Sequence, residues 1–283
     1  MRSYLPDFDL VIAGDLADAL RLLNSDYRPI AGGTDLMVLF NAGRLPFRKL
    51  VSVAKVPELG GITVSSGSVS LGPTTTFTAI QRHPILQEEF PLLCRAASWT
   101  GSAANQNRAT IGGNIANASP AADSLPALLV YDAELELISE VASRRVAYDD
   151  FHTGYKSMQL RQGELIAKVH LPRPRRECKQ YARKVGTRKA QAISKVCFNA
   201  VAEMDGAVIK RIRIGVGSIA PVPLRCHKTE AALMGQTLTG ALVGHAREAI
   251  AQEIQPIDDI RSTAAYRSLV TQNLLGEFLG TLR

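Results

Sequence analysis

The chain has 283 residues, 46% of them hydrophobic and 21% charged, with a net charge of +7, a balance that excludes a disordered or low-complexity protein and leaves room for two packed domains. The opening "MRSYLPDFDLVIAGDL" carries acids and a proline where a signal peptide needs an unbroken apolar core, and no stretch approaches the ~18 apolar residues of a membrane span, so a soluble cytoplasmic protein is expected. Four cysteines without a CxxC pair and five histidines without HxH or HxxxH spacing give no metal or iron–sulfur cradle, and the cysteines read as small buried residues in a reducing compartment.

In chain order, "DLADALRLLNSDY" from Asp15 has apolar residues at helical spacing behind an acidic cap and predicts an amphipathic helix. "RPIAGGTDLMVLFNAG" then predicts a short strand, a turn at Gly32-Gly33, Thr34 as N-cap, and a helix ending near Gly43. "KLVSVAKV" and "GGITVSSGSVSLG" are β-rich, and a helix starts after Gly72-Pro73. "PLLCRAASWTGSAANQNRAT" predicts a helix leading into "TIGGNIANASPAADSLPALL"; "LPALLVYDAELELIS" gives a helix then a strand, and "ELIAKVHLPRPRR" a strand stopped by prolines. Beyond about residue 176, "MDG" joins two long alternating runs as a hairpin, and three amphipathic helices follow. The second half therefore reads as a sheet backed by helices, an α+β layer.

"PRPRRECKQYARKVGTRK", residues 172 to 189, holds eight Lys or Arg against one Glu. Such a run reads as a solvated linker, an acidic-partner site or a wall around an anionic cofactor; with Tyr181 the one aromatic in it, nucleic acid is the disfavoured reading. Neither GxGxxG nor GxxxxGK[ST] occurs, which argues against a Rossmann dinucleotide site and a P-loop. Two other glycine turns are present, "AGGTDL" at 31 to 36 and "TIGGN" at 110 to 114. In the first, the N–H groups of Gly32, Gly33 and Thr34 can form an anion-binding concavity. In the second, Gly112-Gly113 permits close backbone approach, with Asn114 and Asn117 alongside; an ordinary turn before a buried helix uses the same letters. Two such loops converging would suit a pyrophosphate.

The order "RPIAGGTDLM" … "NRATIGGNIANASPAADSLPALL" … "LIAKVHLP" … "RIRIGVGSIAPVPLR" resembles the FAD-binding (medium) subunit of molybdenum hydroxylases, the family of xanthine, carbon monoxide and nicotinate dehydrogenases, over nearly the whole chain. The resemblance implies an α+β protein with a two-lobed FAD-binding domain of the vanillyl-alcohol-oxidase (PCMH-like) type at 1–175, lobes about 1–56 and 57–175. A smaller α+β domain of the CO dehydrogenase flavoprotein type would follow at 176–283. It implies non-covalent FAD, with Pro29, Ile30, Ala31, Gly32, Gly33, Thr34, Asp35 and Leu36 around the pyrophosphate and Thr110, Gly113, Asn114 and Asn117 as a second grip. Asp123 would accept from a ribityl or ribose hydroxyl, Leu165 and Ile166 would cover the adenine or flavin side, and Lys184 and Ile193 would approach the isoalloxazine. From the residues alone, Asp123 equally reads as a cap for the helix from Ser124, Leu165 and Ile166 as strand core, and Lys184 as a solvated charge.

The family's role, by the same resemblance, is electron transfer from [2Fe–2S] centres of a small subunit, fed by a large molybdopterin subunit, through FAD to NAD⁺ or another acceptor. The assembly implied is a dimer of heterotrimers, with no catalytic residue or metal on this chain. The alternative is a stand-alone FAD-dependent oxidoreductase acting directly on a small molecule; it wants a base beside the flavin or a histidine for covalent attachment, and neither glycine motif holds a histidine. A third reading, a scaffold with a decayed flavin site, draws on three departures from the family pattern: Gln106, Ala109 and Ala192 stand where Arg, Gly and Asp are common.

Overall fold

The computed structural model describes residues 7–174 and 176–283. Residues 1–6, which open the expected first domain, and Arg175, which ends it and belongs to the basic run, lie outside the described residues.

The first layer is a three-stranded parallel sheet in the order Asp9–Ile12, Lys49–Ser52, Arg28–Ile30. The helix Leu16–Asn24 begins where the Asp15 carboxylate accepts the Asp18 N–H at 2.8 Å, and it buries Ala19, Leu20, Leu22 and Leu23 beside Val51 and Val53. After the Gly32-Gly33 turn a short helix spans Leu36–Asn41. Asp35 occupies its N-cap position without a side-chain cap bond, so Thr34 does not cap the helix as expected.

The second layer is a five-stranded antiparallel sheet in which Leu165–Pro172 lies between Ser68–Leu71 and Glu134–Ile138. Period-two alternation sends Val69, Leu71, Leu135, Leu137, Val169 and Leu171 into the largest core. That core is closed by the helices Phe77–Arg82, Pro91–Trp99 and Leu125–Val130, the last buried at every position.

The third layer is an antiparallel sheet in the order Lys179–Val185, Val196–Asp205, Val208–Gly217, Leu224–Arg225. Its first strand lies inside the basic run, so residues 179–185 are not the linker that their charge suggested. Both faces of this sheet are covered, which explains the near-continuous apolar run at 196–202. Val196, Phe198 and Ala200 pack under the helices His227–Leu233, Gly240–Glu253 and Ala264–Gly280. Cys197, Asn199 and Val201 alternate with them and so face the opposite way, where Val201 joins the first core. Gly215 lets this face approach the helix Leu125–Val130, because a Cβ there would stand 2.5 Å from the Pro126 carbonyl oxygen. The expected hairpin turns at Gly206 and Ala207, between the paired Asp205 and Val208, with Gly206 at φ +56°. Among the described residues no helix is long and apolar enough to cross a membrane, and no cluster of His, Cys, Asp and Glu could hold a metal.

Candidate cofactor site

At the first glycine turn the chain leaves the strand Arg28–Ile30 and enters the short helix through Gly33, whose φ of +72° favours glycine. The N–H groups of Gly32, Gly33, Thr34, Asp35 and Leu36 donate to no protein acceptor among the described residues. All but Asp35 are half-buried, and a half-buried run of unengaged N–H groups needs an acceptor from elsewhere. A Cβ on Gly32 would lie 2.0 Å from the Arg108 carbonyl oxygen and 3.1 Å from the Ala109 Cα. Gly32 therefore meets the backbone just ahead of the second glycine segment.

The second segment is built differently. Thr110 caps the helix Ile111–Asn117, its hydroxyl accepting from Gly113 N–H at 3.1 Å. Ile111 N–H donates to Thr75, Gly112 N–H to Pro73 and Asn114 N–H to the Thr110 carbonyl. Gly112 is required by packing, since its Cβ would stand 2.4 Å from Pro73 Cβ. The far end of the helix is also held. His152 Nε2 donates to the Ile115 carbonyl at 3.0 Å, and Lys156 Nζ grips both the Asn117 carbonyl and its Oδ1 at 2.6 Å. Burial lowers the His152 pKa, against the pull of that carbonyl. What this segment offers a ligand is side chains, Asn114 above all, whose Oδ1 accepts from Ser124 at 2.6 Å and whose amide N–H groups have no such partner among the described residues.

Between the helix and the C-terminal sheet lies a cleft of about 280 Å³ whose lining includes Asn114, Asp123, Lys184, Ala192 and Ile193. At its floor Lys184 Nζ donates to Asp123 Oδ2 at 2.6 Å and to the Trp99 carbonyl at 3.1 Å. Ser194 donates to the other Asp123 oxygen. Both side chains of the pair are over nine-tenths buried. Burial raises the Asp123 pKa, and the Lys184 ammonium and the Ser194 hydroxyl oppose that rise. Lys184 reaches the pair because strand alternation puts it on the face of Ala182, opposite Cys197 in the register. Asp123 accordingly does not cap the helix Leu125–Val130, and Lys184 is not a solvated charge.

The structure thus brings Asn114, Asp123, Lys184 and Ile193 to one cleft; the turn Pro29–Leu36 does not line it and packs, at Gly32, on the backbone of Arg108 and Ala109. Ile193 is 52% exposed at the rim, an apolar side chain open to a ligand. Leu165 and Ile166 are buried, one in the N-terminal core and one in the largest core, so only their backbone remains for a ligand. Of the departures, Gln106 is tied to Gln81 and to the Ser98 carbonyl, Ala109 packs in the core, and Ala192 lines the cleft. Sequence reasoning passed over Ser194, His152 and Lys156, which have no motif signal and act through contacts distant in the chain. The residues present fit a dinucleotide with two anionic groups: a bare-backbone cradle at Gly32 to Leu36, and an apolar-rimmed cleft with a buried acid–ammonium pair.

Residues 6–174 match the FAD-binding domain in molybdopterin dehydrogenase, and residues 181–282 match the CO dehydrogenase flavoprotein C-terminal domain. The chain is 32% identical to the xanthine dehydrogenase FAD-binding subunit of Escherichia coli O157:H7, an alignment covering 93% of this chain and 91% of that protein. It is 29% identical to the glyceraldehyde dehydrogenase medium chain of Sulfolobus acidocaldarius, with 96% of each covered. The fold superposes on a chain of carbon monoxide dehydrogenase from Hydrogenophaga pseudoflava with a TM-score of 0.93 at 27% identity, covering 98% and 97% of the two chains. The two family matches, which together span nearly the whole chain, and the 32% identity over nine-tenths of its length show that the chain belongs to the FAD-binding subunits of the molybdenum hydroxylase family.

Proposed function

We propose that this chain holds FAD across the junction of its two glycine segments, as the electron-transfer subunit of a molybdenum hydroxylase complex. The observation that carries the reading is the row of N–H groups from Gly32 to Leu36 without protein acceptors, set against the cleft that ends in Asp123 and Lys184. Pro29 to Leu36 would take the pyrophosphate, each N–H bond to a charged oxygen contributing about 1.5–3 kcal/mol before entropy costs. Thr110 and Gly113 shape the second segment, Asn114 and Asn117 offer it side-chain amides, and the backbone of Leu165 and Ile166 closes one side. Lys184 and Ile193 would border the isoalloxazine, with Asp123 fixing the Lys184 ammonium. Bound there, FAD would supply the redox chemistry that links one-electron [2Fe–2S] centres of a small partner subunit to a two-electron acceptor such as NAD⁺.

A large molybdopterin subunit would complete a heterotrimer, paired as a dimer; that relatives are named medium chains supports partner subunits. The setting proposed is the cytoplasm, where thiols such as the buried Cys197 and Cys226 stay reduced. A stand-alone oxidase needs a base beside the flavin, and the cleft's carboxylate, Asp123, is already paired with Lys184. The test is an absorption spectrum of the purified chain. Flavin bands that survive desalting and are released by acid precipitation are expected, with no bleaching by purines, aldehydes or N-heterocycles alone; bleaching by such a substrate would turn the reading to the stand-alone oxidase.

A further inference from the structure

We propose that Arg267 is a positioning residue for the flavin cleft, its one guanidinium holding the backbone segments that carry Ser194, Lys184 and the loop from Asn117 to Asp123. The inference rests on the cleft being the flavin site. Arg267 lies in the first turn of the C-terminal helix Ala264–Gly280, far along the chain from every residue named in the cleft, and it is 2% exposed. A buried cation persists where its charge is met, and here the two terminal nitrogens meet two backbone carbonyls and one carboxylate, while the buried Nε donates to no acceptor among the described residues. One terminal nitrogen donates to the Lys195 carbonyl at 2.7 Å and to the Ser218 carbonyl at 2.8 Å, and the other to Asp259 at 2.7 Å.

Each carbonyl leads to the cleft in one step. Lys195 follows Ser194, the donor to Asp123, and its N–H bonds at 2.7 Å to the carbonyl of Val185, the residue after Lys184. The Lys195 peptide is therefore fixed at both ends, by Arg267 on its oxygen and by the strand of Lys184 on its nitrogen. Ser218 stands at φ +66°, a left-handed conformation that a non-glycine residue adopts only when its surroundings impose it. Those surroundings are Arg267 on its carbonyl and, at 2.8 Å, the Pro120 carbonyl accepting its N–H. Pro120 belongs to the loop that delivers Asp123. Loss of the guanidinium releases both routes together, and lysine, with one ammonium in place of a planar fork, cannot meet all three acceptors in this geometry.

The experiment compares Arg267→Lys with Leu282→Ala, a truncation in the same C-terminal core of a side chain that makes no hydrogen bond to Lys195 or Ser218. The readouts are melting temperature, FAD dissociation constant, visible flavin circular dichroism, and amide hydrogen exchange of the apoprotein. Arg267→Lys is expected to weaken FAD binding by roughly tenfold or more and to change the flavin dichroism, with Leu282→Ala lowering the melting temperature and leaving both near the parent. In the apoprotein the Lys195 and Ser218 amides are expected to exchange roughly tenfold faster in Arg267→Lys than in Leu282→Ala. If Arg267→Lys does not fold, Asp259→Asn perturbs the same clamp more gently and should move the same amides and the dissociation constant in the same direction. A flavin-loaded parent whose clamp variants behave like Leu282→Ala overturns the role of Arg267 alone. A parent that takes up no flavin overturns the flavin reading on which it rests.

Discussion

At Gly32-Gly33 the N–H groups from Gly32 to Leu36 donate to no protein acceptor among the described residues, whereas at Gly112-Gly113 the four from Ile111 to Asn114 all do. The same letter pair thus serves two ends. The first turn leaves backbone dipoles for a ligand; the second lets a helix press against Pro73 and leaves side chains for the ligand. Where a segment's backbone is satisfied by protein, its geometry is set by folding. Where it is not, the ligand completes it. The second segment, with the Asp123–Lys184 pair that ends it, should therefore couple to stability, and the first turn should couple to cofactor affinity.

The largest effect is expected at the pair. Lys184→Met leaves Asp123 buried without its ammonium and should cost about 3–5 kcal/mol in denaturant melts, and Asp123→Asn in the same chain should restore much of that loss. Equal losses in the single and double variants would mean that the pair is not the reason. Next comes Gly112→Val, whose Cβ would meet Pro73 at 2.4 Å. It should lower stability by about 1–3 kcal/mol and reduce FAD content in step. Gly33→Val sharpens the contrast. Its Cβ has room, with Ile30 Cδ1 at 3.5 Å, so the penalty is the φ of +72°. The Gly33 carbonyl accepts from Met37 N–H at 2.9 Å, so relaxation is limited and stability should fall by about 1–2 kcal/mol, while FAD binding falls many-fold by titration. Stability loss with full FAD retention would reverse the roles of the two turns. The smallest effect is expected for Thr34→Val, whose hydroxyl makes no protein hydrogen bond among the described residues: about 0.5–1.5 kcal/mol of FAD affinity and an unchanged melting curve.

Much of the architecture was legible because local signals agreed with it. Asp15 caps its helix, the alternation at 196–217 is a hairpin, and the first glycine turn lies where its letters put it; Gly112-Gly113, read as a turn, lies instead inside the helix Ile111–Asn117. The strand Lys179–Val185 was hidden by its charge: period two is present, but Lys179, Arg183 and Lys184 mask it, and the outward members of an edge strand carry no apolar signal. Thr34 was expected to cap because threonine ahead of a helix commonly does, yet the helix starts after Asp35. The partner of Lys184 could not be read, since Asp123 and Ser194 reach it only through the packing of the C-terminal sheet on the helix Leu125–Val130. Nor does a sequence tell which N–H groups the protein itself will satisfy, and that distinction separates the two turns.

The central claim is that the first turn grips a pyrophosphate, and the most direct measurement is titration of flavin-stripped protein with FAD and, separately, with FMN. FMN carries the same isoalloxazine and one phosphate but lacks the diphosphate bridge. Each charge-assisted N–H bond lost is expected to weaken binding by about 1.5–3 kcal/mol. FAD should therefore bind stoichiometrically and FMN far more weakly, with Gly33→Val removing most of the difference. Equal affinity for the two flavins, or a difference that survives in Gly33→Val, would contradict the account.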